Sequence, residues 1–298
     1  MTQEFTLNKI RDFGDIITDT FTYIRVHWRS LGKVFGLYVL SPLIIGIILL
    51  GGSIAFSFDN LENPSDTGAF LGAGISIFVG IMFIFFALFM LMGVVYQHIQ
   101  HTCSGEVPHT FSEFSRGMFG KTFSILMVSF LIGIVVAVAL FIFFAIISSF
   151  ASVLATIIAT IILYGLIGFF VIKISLFPVV FFVEGGSASS AIARSWELTE
   201  NYWWFTFGIY FVINIIFSFL SMFAAIPLII LGGVIAFIFG ADFQQDLPLI
   251  FGTLYASIYF FQIIASSAQF ISLGIHYFNL VERKEGDNLT SEINRLSI

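Results

Sequence analysis

Residue types that can bind a metal ion lie close together in one polar segment of the sequence. They are His98, His101, Cys103 and His109. Zinc prefers imidazole nitrogens and thiolates, and the first two histidines would lie one turn apart on a continuing helix. Their spacing matches no defined zinc pattern, however, and histidines are ordinary at the edge of a membrane span. We therefore predict no metal ion and no cofactor at this cluster.

Signatures of enzyme active sites are missing from the rest of the sequence. It contains no GxSxG or HExxH motif, no phosphate-binding P-loop and no dinucleotide-binding glycine motif. The predicted spans contain no Asp, Glu, Lys or Arg, whereas ion-coupled transporters place ionisable groups at membrane depth. We therefore expect no catalytic residues, and the sequence argues against ion-coupled transport.

Basic and aromatic residues beside two predicted surface helices form the candidate binding set. Arginine and lysine near a membrane surface attract anionic lipid headgroups, and tryptophans gather where apolar spans meet water. The simpler alternative is that these side chains only anchor and orient the helices. Under either interpretation the residues concerned are Arg25, Arg29, Lys33, Arg194, Trp203 and Trp204.

The segment before the first span is predicted to form a cytoplasmic amphipathic helix within residues 1–33. Acidic residues stand towards its start and basic residues towards its end, as the helix dipole favours. Its apolar residues share one helical face, which is typical of a helix lying on a membrane surface. These apolar residues are Phe13, Ile16, Ile17, Phe21, Ile24, Trp28 and Leu31.

A second surface helix is predicted at about residues 187–201, in a polar stretch between two long apolar runs. Gly185 and Gly186 break the preceding segment, and Ser187 is a suitable N-cap residue. Small and apolar residues then recur at helical spacing on one face. We predict an interfacial helix that leads directly into the next span.

The composition predicts an all-α, polytopic membrane protein. Of the 298 residues, 58% are hydrophobic and only 10% are charged, against about 25% charged residues in soluble proteins. Residues 122–172 carry no charge and exceed the length of one span, so the chain must turn, with Ser148-Ser149-Phe150 the best hairpin position. We predict six transmembrane helices within residues 34–280, followed by a polar cytoplasmic tail at 281–298.

The apolar run at residues 203–240 is also longer than one span requires. Pro227 and the pair Gly232-Gly233 are the positions at which it could bend. Two alternatives stay open at this point. Either the fifth span is one long kinked helix, or residues 225–240 form a re-entrant segment.

The distribution of charge predicts the orientation of the chain in the membrane. With six spans, all twelve Lys and Arg residues fall on one side, and the charged residues of the opposite loops are all acidic. Basic residues are retained in the cytoplasm, so both termini are expected there. The first apolar run begins too late for a cleavable signal peptide.

The stretch VVFFVEGGSASSAIARSWELTENYWWFTFGIYFVI resembles the membrane domain associated with glycerophosphoryl diester phosphodiesterases. The opening segment FGDIITDTFTYIRVHWRSL is similar to the first helix of that family. The resemblance implies a stand-alone six-span protein of a bacterial inner membrane, without the phosphodiesterase domain. The positions that match the family pattern are Pro178, Ala191, Arg194, Ser195, Trp196, Leu198, Thr199, Asn201 and Trp204.

These observations lead to two functional hypotheses, and the family resemblance alone adds a third, an enzyme of lipid or phosphodiester metabolism. The first is a non-enzymatic inner-membrane scaffold or lipid-interacting module that acts with partner proteins. The alternative is a transporter or flippase-like carrier of an apolar or amphipathic substrate, which would need no buried charge. The expected partners are membrane lipids, together with other membrane proteins or a second copy of the chain, and no nucleic acid.

Overall fold

The computed structural model describes residues 5–59, 67–105, 110–147, 153–238 and 247–286. Within these ranges all regular secondary structure is helical, which confirms the predicted all-α class. The predicted hairpin at Ser148-Ser149-Phe150 lies outside the described residues. The helices are α1 Phe13–Tyr38, α2 Leu40–Asp59, α3 Thr67–Ser104, α4 Phe111–Ser115, α5 Met118–Ile147, α6 Val153–Lys173, α7 Phe177–Val183, α8 Ala188–Leu198, α9 Trp203–Ile238 and α10 Leu247–Glu285.

Five stretches of the described chain are long and apolar enough to cross a membrane, and a sixth is added if the bent pair α1–α2 is counted as one span. These stretches indicate a multi-pass membrane protein. They are Leu71–Ser104, Phe111–Ile147, Val153–Val183, Trp203–Val234 and Ile258–Glu285.

The first helix ends later than the charge pattern alone predicts. It continues to Tyr38, whereas the predicted boundary with the first span lies at residue 33. The two helices α1 and α2 then meet at an angle of 52°. With 20 residues, α2 is about 30 Å long, which is the thickness of a hydrocarbon core. Because of this bend, α1 and α2 do not share one helix axis.

The long run from residue 203 forms one helix. Helix α9 continues through Pro227 and Gly232-Gly233 to Ile238, so within the described residues no re-entrant break separates 225–238 from the rest. Helix α10 likewise continues past residue 280, the predicted end of the membrane domain, to Glu285.

Helices α5 and α6 have almost no protein cover over most of their length. None of the residues 126–147 and 153–171 is buried, and many large apolar side chains are exposed there. In water such helices would be unstable as a monomer, because exposed apolar area of this extent is unfavourable. A lipid environment removes that cost.

The chain divides into two compact units, which are described separately. Unit 1 consists of residues 1–20, 96–210 and 272–298, and unit 2 consists of residues 21–95 and 211–271. Unit 2 contains a close crossing of α2 and α3. A Cβ atom added to Gly46 would lie 3.0 Å from the Gly80 carbonyl oxygen, and one added to Gly80 would lie 3.0 Å from the Leu50 nitrogen. A side chain at either position would press on the facing backbone, so glycine permits this close approach of the two helices.

Candidate functional site

The start of α8 has the geometry that the sequence predicts. Gly185 and Gly186 adopt positive φ angles of 75° and 83°, which favour glycine. Ser187 then caps the helix, because its hydroxyl oxygen accepts a hydrogen bond from the Ser190 backbone nitrogen at 3.2 Å. The Ser190 hydroxyl in turn accepts from the Ser187 backbone nitrogen at 3.1 Å. This reciprocal capping box fixes where α8 begins.

Arg194, the basic residue of α8, is held by three carboxylates of unit 1. Its guanidinium lies 3.3 Å from Glu184 and 3.2 Å from Glu197, and it also forms an ion pair with Glu285. The Tyr277 hydroxyl donates a further hydrogen bond to Glu184 at 2.8 Å. These contacts join α8 to the end of α10 and to the residue after α7.

The electrostatics of this cluster keep Arg194 charged. Partial burial alone would lower its pKa, but hydrogen bonds to Glu285, Glu197 and Glu184 outweigh burial and raise the pKa above its ordinary value. The positive charge of Arg194 is consequently neutralised by ion pairs within the protein. A lipid phosphate would have to compete with three carboxylates that are already in place.

One buried hydroxyl group, that of Ser195, joins α8 to the end of α6. Ser195 and Thr199 are fully buried. Ser195 donates to the Lys173 carbonyl oxygen at 2.8 Å, and Thr199 donates to the Ser195 carbonyl oxygen at 2.8 Å. The Lys173 ammonium group lies 5.1 Å from the centre of the Trp196 ring, within range of a cation–π contact. The last carbonyl of α6, which has no partner within its own helix, is thus satisfied by α8.

The two candidate tryptophans have different surroundings. Trp203 donates from its indole nitrogen to the Phe169 carbonyl oxygen at 3.2 Å, and its ring stacks on Phe169 and on Phe207. Trp204 is 76% exposed. Trp203 therefore contributes to packing in unit 1, whereas Trp204 is available to the surroundings of the protein.

A second polar cluster of unit 1, which sequence reasoning did not find, is centred on Arg11. This side chain is 1% exposed, and its guanidinium pairs with Asp19 at 2.7 Å. Its backbone nitrogen donates to the Asn279 side-chain oxygen at 2.8 Å. Arg283 donates to that same Asn279 oxygen at 3.1 Å and to the Arg11 carbonyl oxygen at 2.7 Å. The residues before α1 are thereby fastened to the end of α10.

His276 lies one turn before Asn279 on α10 and faces Thr206 of α9. The Thr206 hydroxyl oxygen lies 2.9 Å from the Tyr202 carbonyl oxygen and 2.9 Å from His276 Nε2, so the hydroxyl and the imidazole share a hydrogen bond. The other imidazole nitrogen, Nδ1, is buried without a hydrogen-bond partner in the described part of the chain, as is the Asn279 amide nitrogen. The sequence signal that could have indicated this cluster is the spacing of His276 and Asn279, which lie one turn apart within an apolar run.

The basic residues of α1 stand in a different environment. Arg25, Arg29 and Lys33 are all exposed, and no ion pair joins them to the described residues. Four-residue spacing places them in one row along the helix. Trp28 beside them is 60% exposed, and the Arg29 guanidinium lies 5.4 Å from its ring centre. This row presents three positive charges with an aromatic neighbour and can attract an anionic group.

The histidine and cysteine segment does not form a metal centre within the described residues. No group of three or more His, Cys, Asp or Glu side chains there could hold a metal ion. His101 Nε2 lies 3.0 Å from the Gln97 side-chain nitrogen, and Cys103 is exposed. His109 lies outside the described residues.

Comparisons with protein-family models, with curated proteins and with solved structures find no match to this chain.

Proposed function

We propose that this chain is a non-enzymatic, lipid-interacting scaffold protein of a bacterial inner membrane, and that α1 is its headgroup-binding element. The observation that carries the proposal is the exposed row Arg25, Arg29 and Lys33, whose charges have no carboxylate partner among the described residues. Each basic residue close to an anionic membrane surface contributes about 1 kcal/mol of attraction. Three in one row are sufficient for a clear preference for anionic lipids.

The apolar surroundings of the row support the same proposal. Trp28, Val26 and Leu37 are exposed on α1 together with the basic residues, while Tyr23 and Val34 are buried. Helix α1 thus packs some residues on protein and exposes basic and aromatic residues elsewhere. Such a helix suits the boundary between headgroups and acyl chains. In this arrangement α1 and α8 are cytoplasmic interfacial helices, and α2 is the first of six spans.

The charge distribution supports the proposed orientation. All twelve Lys and Arg residues fall on one side of a six-span arrangement, and the positive-inside rule then assigns that side, with both termini, to the cytoplasm. The cytoplasmic leaflet is also the one rich in anionic lipids.

The proposal also includes a family relationship. The motif around Arg194 and Trp204 resembles that of the membrane domains associated with glycerophosphoryl diester phosphodiesterases, and we propose that this chain is a stand-alone relative of those domains.

The test compares two variants that each remove two positive charges. In bilayers with and without phosphatidylglycerol, the full-length protein is expected to be thermally stabilised by the anionic lipid. Replacing Arg25→Gln together with Arg29→Gln should weaken that preference by about 2 kcal/mol. The matched control, Lys9→Gln with Arg116→Gln, also neutralises two exposed residues but leaves the row intact.

The expected result is that the row variant loses most of the lipid-dependent stabilisation and the control keeps it. Equal losses in both variants would mean that net charge alone attracts the lipid. If phosphatidylglycerol stabilised the row variant as much as the wild type, the proposed role of α1 would be contradicted.

A further inference from the structure

Helix α9 of the described chain contains the candidate span Trp203–Val234 and carries an exposed amide side chain, that of Asn214. Tryptophans mark the edges of membrane spans, so we take the hydrocarbon core to begin at Trp203. Asn214 lies about 16 Å along the helix from there, which is close to the middle of a core of about 30 Å. Its side chain is exposed, beside Phe211 and Ile215, which are 52% and 40% exposed.

Asn214 is the outer end of a series of polar contacts between α9 and α10. The Gln262 side-chain oxygen accepts from the Ser221 hydroxyl at 2.8 Å, and the Gln262 nitrogen donates to the Ser218 hydroxyl at 3.4 Å. Ser218 in turn lies 3.5 Å from the Asn214 side-chain oxygen, which is the upper limit of a hydrogen bond. No acceptor among the described residues contacts the Asn214 amide nitrogen. Acyl chains offer it none, so an acceptor on a neighbouring molecule in the membrane would satisfy this donor.

We propose that Asn214 pairs with Asn214 of a second copy of this chain. A primary amide carries both a donor and an acceptor, so it is complementary to itself. In a two-fold interface the same surface of each copy meets its counterpart, which places equal residues opposite each other. The face around Asn214 is apolar and uncharged, and a neutral self-complementary amide is the partner that suits it. Asparagine side chains associate transmembrane helices in this way.

This dimer contact is independent of headgroup binding by α1. The test measures the association of full-length protein in liposomes by single-molecule photobleaching at increasing protein density. The wild type should form dimers as the density rises, and Asn214→Leu should weaken dimerisation roughly three- to twentyfold. Asn214→Gln, which keeps the amide, should retain most of it. Phe223→Leu is the control, because Phe223 is an exposed residue of the same helix that lies on the opposite face of α9 from Asn214.

Cross-linking locates the contact without altering Asn214. The chain has one cysteine, Cys103, so Cys103→Ser gives a background in which single cysteines can be introduced. Phe211→Cys should cross-link between copies with a short bismaleimide, whereas Phe223→Cys, on the opposite face of α9, should not. A monomeric wild type at all densities, unchanged dimerisation of Asn214→Leu, or cross-linking through position 223 alone would each overturn the proposal. Thermal unfolding of each variant checks that loss of dimers does not reflect loss of folding.

Discussion

The basic row of α1 and the arginine of α8 look alike in sequence and differ in structure. Both stand on predicted surface helices beside tryptophans. Arg194 contacts three carboxylates of unit 1, whereas Arg25, Arg29 and Lys33 are exposed and lack a carboxylate partner among the described residues. The same residue type therefore stabilises the fold in one helix and leaves charge available for a ligand in the other.

The difference follows from what each helix is packed against. Helix α8 lies against the ends of other helices, where unsatisfied carbonyl groups and acidic side chains accumulate, and its Ser195 hydroxyl donates to one of these groups, the Lys173 carbonyl oxygen. The middle of α1 presents its basic residues to the outside. Substitutions of inward-facing basic residues should therefore affect stability, and substitutions of the row should affect lipid binding.

The largest effect is expected from Arg11→Met. Arg11 is almost completely buried and pairs with Asp19 at 2.7 Å, so its removal leaves a carboxylate and several carbonyl groups without their donor. We expect a loss of about 3–4 kcal/mol in the free energy of unfolding. Lys9→Met, an exposed neighbour in the same segment, should cost less than about 0.5 kcal/mol. Denaturation in detergent followed by tryptophan fluorescence measures both, and similar losses would contradict the assignment of Arg11.

A smaller loss is expected from Arg194→Glu, which places a fourth carboxylate beside Glu184, Glu197 and Glu285. Because the cluster is partly exposed, solvent screening reduces the cost to about 2–3 kcal/mol. Arg25→Glu reverses a charge on the exposed row and should change the free energy of unfolding by less than about 0.5 kcal/mol. If the two reversals destabilised the protein equally, the contrast between the two helices would be lost.

The smallest effect concerns the hydroxyl that joins α8 to α6. Ser195→Ala removes the hydrogen bond to the Lys173 carbonyl oxygen and should cost about 1–2 kcal/mol, because that oxygen loses its buried donor. Ser189→Ala, an exposed serine of the same helix, is the matched control and should be close to neutral. A neutral Ser195→Ala variant would show that this bond does not hold α8 in place.

Local features of this chain could be predicted from the sequence, because their causes are local. The two glycines and the serine that begin α8 are an example, since backbone freedom and a side-chain cap act within a few residues. The apolar runs likewise indicated the long helices, although the sequence left the form of residues 225–240 open. Helix α9 continues through Pro227, where a local rule favours a break.

The partners of the basic residues could not be predicted in the same way. Arg11 is linked to Asn279 across 268 positions of the chain, and no periodicity or spacing records such a contact. For the same reason Arg194 and Arg25 were equal candidates for headgroup binding. The folded chain distinguishes the two arginines, because it places three carboxylates beside Arg194.

The most direct test of the account counts the anionic lipids that remain bound to each variant. Native mass spectrometry of full-length protein titrated with phosphatidylglycerol would compare the wild type, Arg25→Gln with Arg29→Gln, and Arg194→Gln, with unfolding measured in parallel. We predict that the α1 variant binds less lipid at unchanged stability, and that Arg194→Gln binds lipid normally but unfolds more easily. Loss of lipid in Arg194→Gln, with normal binding by the α1 variant, would contradict the account.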